Sequence, residues 1–548
     1  MNLVRASLVA LAILAAARAD AIDLTLGQQP LHLNFTEYGA TAYHLDNATL
    51  PGTGGYDPTG NNYVDWLNRF QADGSWGDFT ALLRIDSDAF FHAPVAAPGD
   101  DLDAGRLLNR YSDRVDLEKI ALGYTSRHVE LTLGDFYVTY GRGLVLAIRK
   151  YDELGIDTTL RGASVTGHIG GLNANVVAGT ANIMNIDTGT GREADDPDDL
   201  IAGARAEYRF GKWVVPGVDI SYVRYPFPQS ADDLPVTQQS HDHVMTYSGT
   251  LEFPDLWGHG NLYFEYAQQQ GHYYDQDISP PPTAFYASGT AFWGPITILA
   301  EFKNYRHFAP LKTSLNPSIV GGVPELALSD FYNAPPTLER VYQTVLDNAD
   351  TTGPHVRVDW AVTPNINPYV SMAVFHDRIY GVYVYDPYAG VELHWQDGRS
   401  RAAFSGGRRL QRYLDVVSNG SVLEDNTHLE YDVNQWITGP YSIELDGQHQ
   451  RHNDHSSYEP FLWTEGQAYL SVKRADLFSA AVGYEYYTEL RDTVRSHYVN
   501  ANGTWQINQS VLLRLFVGGQ RAGIKCVNGV CRSFPAFEGA RAEVIAKF

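Results

Sequence analysis

The sequence predicts an all-β fold: a single large transmembrane antiparallel β-barrel of about 24 strands, within a range of about 22 to 26. Short turns are expected at one end of it and long loops at the other. Three observations carry that prediction. Segments of about ten residues recur with apolar–polar alternation, the period of a strand whose two faces meet different solvents. The connections between these segments alternate short and long along the chain. Tryptophan stands beside the short connections: Trp76, Trp213, Trp257, Trp293, Trp360, Trp395, Trp436 and Trp505 do so, and only Trp66 and Trp463 do not. An indole prefers the membrane–water boundary, where its ring is buried and its N–H stays wet. A soluble sandwich has no cause to place Trp at one end of strand after strand.

Taken in order, residues 1–21 read as a secretory signal. Arg5 supplies the positive start, Ala6 to Ala17 the apolar stretch, and Ala17-Arg18-Ala19 or Ala19-Asp20-Ala21 the small-x-small cleavage site. No Cys follows, so no lipid anchor is expected, and 22–548 is assigned to the barrel. Strand after strand then alternates. Ala202, Ala204, Ala206 and Tyr208 oppose Arg205, Glu207 and Arg209. Ile296, Ile298, Ala300 and Phe302 oppose Thr297, Glu301 and Lys303. Ala468, Leu470 and Val472 oppose Gln467, Ser471 and Lys473, and Val511, Leu513, Leu515 and Val517 oppose Arg514 and Gln520. Counting back from the end, Asn508-Gln509, Arg474-Ala475-Asp476, Thr438-Gly439-Pro440 and Trp293-Gly294-Pro295 are short turns. Residues 522–533, 488–496, 450–460, 411–427, 378–389 and 309–351 are the long connections between them. The strands near 31–45 and 62–72 are the least regular.

The last strand, FPAFEGARAEVIAKF, sets Ala540, Ala542, Val544, Ala546 and Phe548 on one face and Arg541, Glu543 and Lys547 on the other, with Ile545 the exception. It resembles the C-terminal recognition strand of bacterial outer-membrane barrels, which ends in Phe. The resemblance implies that Phe548 is an assembly signal read by the barrel-insertion machinery. It also implies a bacterial outer-membrane location reached through the periplasm, with both termini and the short turns on the periplasmic side.

The chain has 548 residues, too many for one ordinary globular core, and a formal charge of -24, which argues against nucleic acid as a partner. Its acidity lies in runs such as Asp100, Asp101, Asp103 and Asp195, Asp196, Asp198, Asp199, read as solubilised loops in preference to cation sites. The only cysteines, Cys526 and Cys531, flank Asn528-Gly529 and fit a disulfide across a tight external loop in an oxidising compartment. They lack the companions of a metal site and the spacing of a redox pair. No phosphate-binding loop, dinucleotide glycine motif or hydrolase signature occurs. His241, His243, His452 and His455 fall in loop-like sequence and read as surface histidines. No catalytic, metal or cofactor residue is assigned, and the chain is not read as an enzyme, although rim catalysis assembled from several loops stays open as the weakest alternative.

One segment breaks the alternation. In Tyr140–Gly162, YGRGLVLAIRKYDELGIDTTLRG, the run Leu144 to Ile148 is continuously apolar, while Arg142, Arg149, Lys150 and Arg161 mix with Asp152, Glu153 and Asp157. In water it would expose an apolar patch, so it is expected to pack on the lumen wall. Arg142, Arg149, Glu153, Asp157 and Arg161 are therefore the candidate lumen-constriction residues, although glycines for tight backbone and an internal salt-bridge network give a purely structural reading of the same stretch. Gly134-Asp135-Phe136-Tyr137, Tyr140-Gly141-Arg142-Gly143-Leu144, Leu154-Gly155-Ile156-Asp157 and Leu160-Arg161-Gly162 together resemble domain-of-unknown-function family 6029, over about 60–225. That is a group of large predicted outer-membrane barrels without an assigned activity, so the resemblance implies fold and location and leaves the substrate open.

The longest connection, 309–351, carries Leu338, Val341, Tyr342, Val345 and Leu346 behind Pro335-Pro336-Thr337, the stripe of a short amphipathic helix with Thr337 as its N-cap. It and 141–161 are the two stretches expected to narrow the barrel. A barrel this wide encloses either an aqueous lumen or an occupant. Two functions follow. The first is a porin-like channel for solutes. The second is a sheath or scaffold around a protein partner, as in secretion, a surface lipoprotein complex or an electron conduit. No N-terminal plug of the kind found in TonB-dependent receptors is read, and without Cys-x-x-Cys-His any haem would belong to a partner. The implied partners are outer-membrane lipid, the insertion machinery and, on the second reading, a periplasmic or surface protein.

Overall fold

The computed structural model describes residues 22–45, 62–92, 113–187, 192–193, 196–225, 243–271, 281–308, 311, 319–320, 323–324, 331–338, 350–378, 381–413, 422–455, 461–489, 496–521, 523–527, 530–534 and 536–548. The signal stretch, the acidic run 100–103 and most of the expected amphipathic helix lie outside these residues.

The chain forms one closed 24-strand antiparallel barrel. The first barrel strand, Gln29–His44, pairs with the last, Phe537–Lys547, from Thr36 opposite Lys547 to His44 opposite Gly539. That pairing is the seam. Below it Phe35 N donates to Phe548 O at 2.6 Å and Phe548 N to Phe35 O at 2.9 Å. A short leading strand, Ile22–Leu26, continues the seam by pairing with Gln29–Leu33. Closure leaves no unpaired ladder edge within the barrel, as a chain in hydrocarbon requires.

At one end the connections are as short as Gly77-Asp78, Gly170-Gly171 and Gly294-Pro295, and none exceeds 209–214 or 254–259. The other end carries the longer ones. Outward residues such as Leu122, Val176, Val218, Val482 and Leu515 stand exposed on the bare chain and form the apolar belt. Trp213, Trp257, Trp293, Trp360 and Trp505 are exposed at the short-turn end, which builds an aromatic girdle there.

The structure departs from the sequence reading at several connections. The expected long connection 378–389 shrinks to 378–381, because the strand Val382–Trp395 runs straight through Asp386-Pro387. Proline lacks an N–H, and the ladder to Ser400–Tyr413 skips both residues between Tyr385 and Tyr388, while Pro387 keeps its place opposite Met372. Likewise 411–427 shrinks to 414–421 and 450–460 to 455–460. His452 is therefore a strand residue and not a surface one. It is buried, bonded through Nδ1 to Glu424 Oε1 at 2.7 Å and stacked on Trp463 with ring centroids 3.6 Å apart. That stacking accounts for a Trp standing away from the turns.

Candidate functional site

The lumen is where this fold can act, and residues 137–161 shape it. After the strand Val129–Phe136 the chain turns inward as a small hairpin, Val138–Tyr140 against Leu146–Ile148. It continues through Lys150–Tyr151, a single 3-10 turn Asp152–Leu154 and Ile156–Asp157, then rejoins the wall at Thr159–Ile169. Leu144, Val145, Leu146 and Ile148 have no exposed surface. Val145, Leu146 and Ile148 pack on inward residues of successive strands, including Val177, Ile201, Val223 and Val244, and Leu144 packs further round on Tyr263, Ala267 and Tyr286. Burial of each such side chain contributes about 1.5–3 kcal/mol, which holds the segment inside. The wall makes room for it at Gly203, where a Cβ would come within 2.8 Å of the Tyr140 ring and 3.3 Å of Leu146. Ser221 Oγ donates to Val145 O at 2.8 Å, and Tyr140 hydroxyl to Asn175 Oδ1 at 2.7 Å.

Part of the long connection 309–351 folds inward on top of it. Ala147 N donates to Tyr332 O at 2.7 Å, Ala334 N to Gly143 O at 2.9 Å, and Asn333 Nδ2 to Leu144 O at 3.2 Å. Gly143 has φ +87, and its position beside Ala334 O leaves 2.9 Å for a Cβ, so only glycine fits. The Tyr332 hydroxyl donates to Asp199 Oδ2 at 2.6 Å. Leu338 ends the described part, packed on Ala373, Phe375, Val382 and Val384. This strap and the inward hairpin together cover the lumen wall from Arg84 round to Val384.

The electrostatic anchor is Asp157. It accepts from Arg84 Nη1 at 2.7 Å, from Tyr137 hydroxyl at 2.5 Å and from Lys119 Nζ. Burial alone would raise its carboxyl; Lys119, Tyr137 and Arg84 outweigh it and hold the group well below the ordinary carboxylate range. A β-bulge builds this site. The ladder shifts between Arg84 opposite Lys119 and Ile85 opposite Leu117, so Glu118 and Lys119 are both buried on the inner side. Alternation cannot foresee that.

The other candidate constriction residues scatter. Arg142 N donates to Glu265 Oε2 at 2.9 Å and its guanidinium lies 4.8 Å from the Tyr263 ring centroid. Arg149 stacks on Tyr151 at 4.5 Å. The Glu153 side chain lies outside the described residues. Arg161 belongs to the wall, where it binds Asp135 at 3.1 Å and the carbonyl oxygens of Leu117 and Glu118. The five form several contacts around one inward segment and no single ring.

Between residues 150–157, which follow the hairpin, and the seam lies a cavity of about 500 Å³. Tyr38, Asp65, Arg69, Arg514, Arg541 and Glu543 line it from the wall, and Lys150, Asp152 and Asp157 from the inward segment. Both charge signs face it. Asp152 is bound to Lys150 at 2.6 Å, Glu543 to Arg514 at 3.6 Å, and Arg69 to Asp86 at 2.7 Å. Arg541 rests over the Phe537 ring at 4.8 Å. The sequence reading had not connected the seam strands with the inward segment, since 380 residues of chain separate Asp157 from Phe537 (537 − 157 = 380).

A second cluster has the outline of a catalytic relay. His355 Nε2 and Ser371 Oγ are 2.8 Å apart, and His355 Nδ1 and Glu301 Oε2 are 2.8 Å apart. Ser371, however, is 4 % exposed and lies mid-strand between two ladders, whose backbone N–H groups are consumed by the sheet. The cluster ties three strands together without presenting a nucleophile. Among the described residues no group of His, Cys, Asp and Glu is placed to hold a metal ion.

A closed 24-strand barrel with an apolar outer belt, an aromatic girdle and a charged lumen defines a transmembrane β-barrel protein. The chain belongs to a family of unknown function, DUF6029, whose model matches residues 104–350 and 411–548. The match starts later than the 60–225 region read from the motifs and extends to the last residue, Phe548. No curated protein matches the chain. Solved structures similar in fold are outer-membrane barrels. Pseudomonas aeruginosa OccK11 (OpdR) is 11 % identical with a TM-score of 0.38, covering 73 % of this chain and 94 % of its own. The ferric enterobactin receptor PfeA of the same organism is 9 % identical with a TM-score of 0.46, covering 94 % and 80 %. The alcaligin receptor FauA of Bordetella pertussis is 9 % identical with a TM-score of 0.38, covering 94 % and 76 %.

Proposed function

We propose that the protein is a porin-like channel of the bacterial outer membrane, passing small polar solutes, and that it has no enzymatic activity. On this reading the signal 1–21 sends it to the periplasm and the short turns face that compartment. The observation that carries the reading is the cavity beside the seam, about 500 Å³ and lined by charges of both signs, next to an inward segment that fills the other side of the lumen. A plain wide barrel would breach a permeability barrier. An inward segment that occupies part of the lumen and leaves a polar crevice gives a narrowed route.

The test is reconstitution of the purified chain in planar bilayers. Discrete conductance steps are expected, and deletion of 309–351 should enlarge them by removing the strap. Absence of steps, together with a stoichiometric protein retained in mild detergent, would replace the channel by the sheath reading. Fluorophosphonate probes are expected to leave Ser371 unlabelled; labelling lost in Ser371→Ala would overturn the non-enzymatic part.

A further inference from the structure

The outer face of the barrel at its seam does not fit hydrocarbon. Thr36 and Tyr38 line the cavity, so strand alternation turns Glu37 outward. Leu67 and Arg69 line it too, and the same count turns Asn68 outward. The two side chains meet: Asn68 Nδ2 donates to Glu37 Oε1. The register sets Glu37 opposite Phe70 and Ala546, and Asn68 opposite Gly39 and Ser87. Aromatic residues bracket the pair along the same strands. Toward the short turns Phe35 stacks on Phe548 and on Phe70, with centroids 5.8 and 6.0 Å apart. Toward the long loops Trp66 is the next outward position after Asn68, and Tyr43 follows Glu37 after Gly39 and Thr41. Glu37 is two residues beyond Phe35, about 7 Å along the strand. The carboxylate and the amide therefore lie inside the belt, where lipid-facing polar groups are strongly disfavoured. Elsewhere the outward face carries residues such as Leu133, Val176, Val218 and Leu515.

We propose that this seam face is the contact surface for a second copy of the chain, in a twofold-symmetric pair. The argument is complementarity. Glu37 offers a second carboxylate oxygen, and Asn68 a second N–H and a carbonyl oxygen. A twofold axis along the membrane normal brings the same patch against itself, so each amide donates to the other copy's carboxylate and both polar groups leave the lipid. Gly39, Ala542, Ala546 and Ser87 surround the pair and let the two backbones approach closely. The proposal is independent of the channel reading.

The test uses the full chain in lipid nanodiscs and in mild detergent, with its mass read by native mass spectrometry. A mass of two chains is expected. Ala542→Cys in a Cys526→Ser/Cys531→Ser background should cross-link to a dimer in native membranes. Glu37→Leu/Asn68→Leu should dissociate at least about tenfold more readily while migrating as a folded, heat-modifiable barrel. Glu37→Gln, whose amide oxygen still accepts from Asn68, should remain paired. Should the double substitution fail to assemble, Ala542→Trp is expected to block the dimer sterically. A single-chain mass in both media with no cross-link overturns the proposal. So does a dimer unaffected by the double substitution or by Ala542→Trp. So does a phosphatidylethanolamine headgroup or a different protein held at the seam of a single copy.

Discussion

Two buried carboxylates hold the inward structures, and their surroundings set them opposite tasks. Asp157 is ionised among two cations and a tyrosine, so Asp157→Asn leaves Lys119 and Arg84 uncompensated. Breaking a buried network from one side costs about 3–5 kcal/mol. The expected outcome is an undocked hairpin in an intact barrel, read as faster amide exchange over 141–157. Asp199 is the reverse case. Burial pushes its carboxyl up to about 7, the Tyr332 hydrogen bond pulls against that, and Asp198 adds to it. In the docked strap the group stays neutral to higher pH than it does when released into water. Below its ordinary value of 3.8 both states are neutral and the difference vanishes. Between 3.8 and about 7 the released state ionises first, so docking weakens as pH rises through that window and levels off above it. Exchange of the Tyr332 and Ala334 amides, corrected for intrinsic rate, is expected to be slower at pH 5 than at pH 8. Asp199→Asn should flatten the profile; a profile unchanged by that substitution would remove Asp199 as the cause.

Among the elements, the inward hairpin depends on a wall position with no side chain. Gly203→Leu places atoms where Tyr140 and Leu146 sit, and those side chains have no free space to retreat into. It should displace the hairpin and raise conductance while the ladder Leu200–Tyr208 stays formed. Unchanged conductance would disconnect the hairpin from the passage. The Cys hairpin is a second element with a definite expectation. Gly523–Val527 pairs with Val530–Phe534, and the register sets Cys526 directly opposite Cys531. Their side chains lie outside the described residues, so the disulfide stays a prediction. The short loop limits its contribution to about 2–3 kcal/mol. Resistance of the native chain to a membrane-impermeant thiol reagent, lost after reduction, is the expected result.

For the whole molecule, closure is one pairing between segments some 500 residues apart in sequence (537 − 29 = 508). Loop closure over such a distance carries the largest entropic cost of any pairing in the barrel. Phe548 sits at its foot, bonded through its backbone to Phe35 and stacked on that ring. Deleting Phe548 is expected to lower the yield of heat-modifiable barrel, both through the lost insertion signal and through an unfastened seam. A normal yield would count against the recognition-strand reading.

The sequence by itself determined the barrel, because a two-sided solvent writes itself into every strand as alternation. Short turns were equally readable, since they demand Gly, Pro, Asn or Asp at fixed places, and the interfacial Trp residues marked which end they occupy. The inward packing of Leu144 to Ile148 was legible for the same reason in reverse: an apolar run that breaks the period needs somewhere dry to go. What tertiary structure alone decided is what each inward group meets. The bulge that turns both Glu118 and Lys119 toward Asp157 is an irregularity of pairing, and a period cannot show it. Pro387 looked like a loop until the ladder was seen to spare its missing N–H. His452 looked exposed until Trp463 covered it. The cavity joins the inward segment to strands at both ends of the chain, and Glu37 became notable only once the wall gave it an outward side. Each of these depends on pairing and contact between strands, and contact, unlike solvent, leaves no period in a single strand.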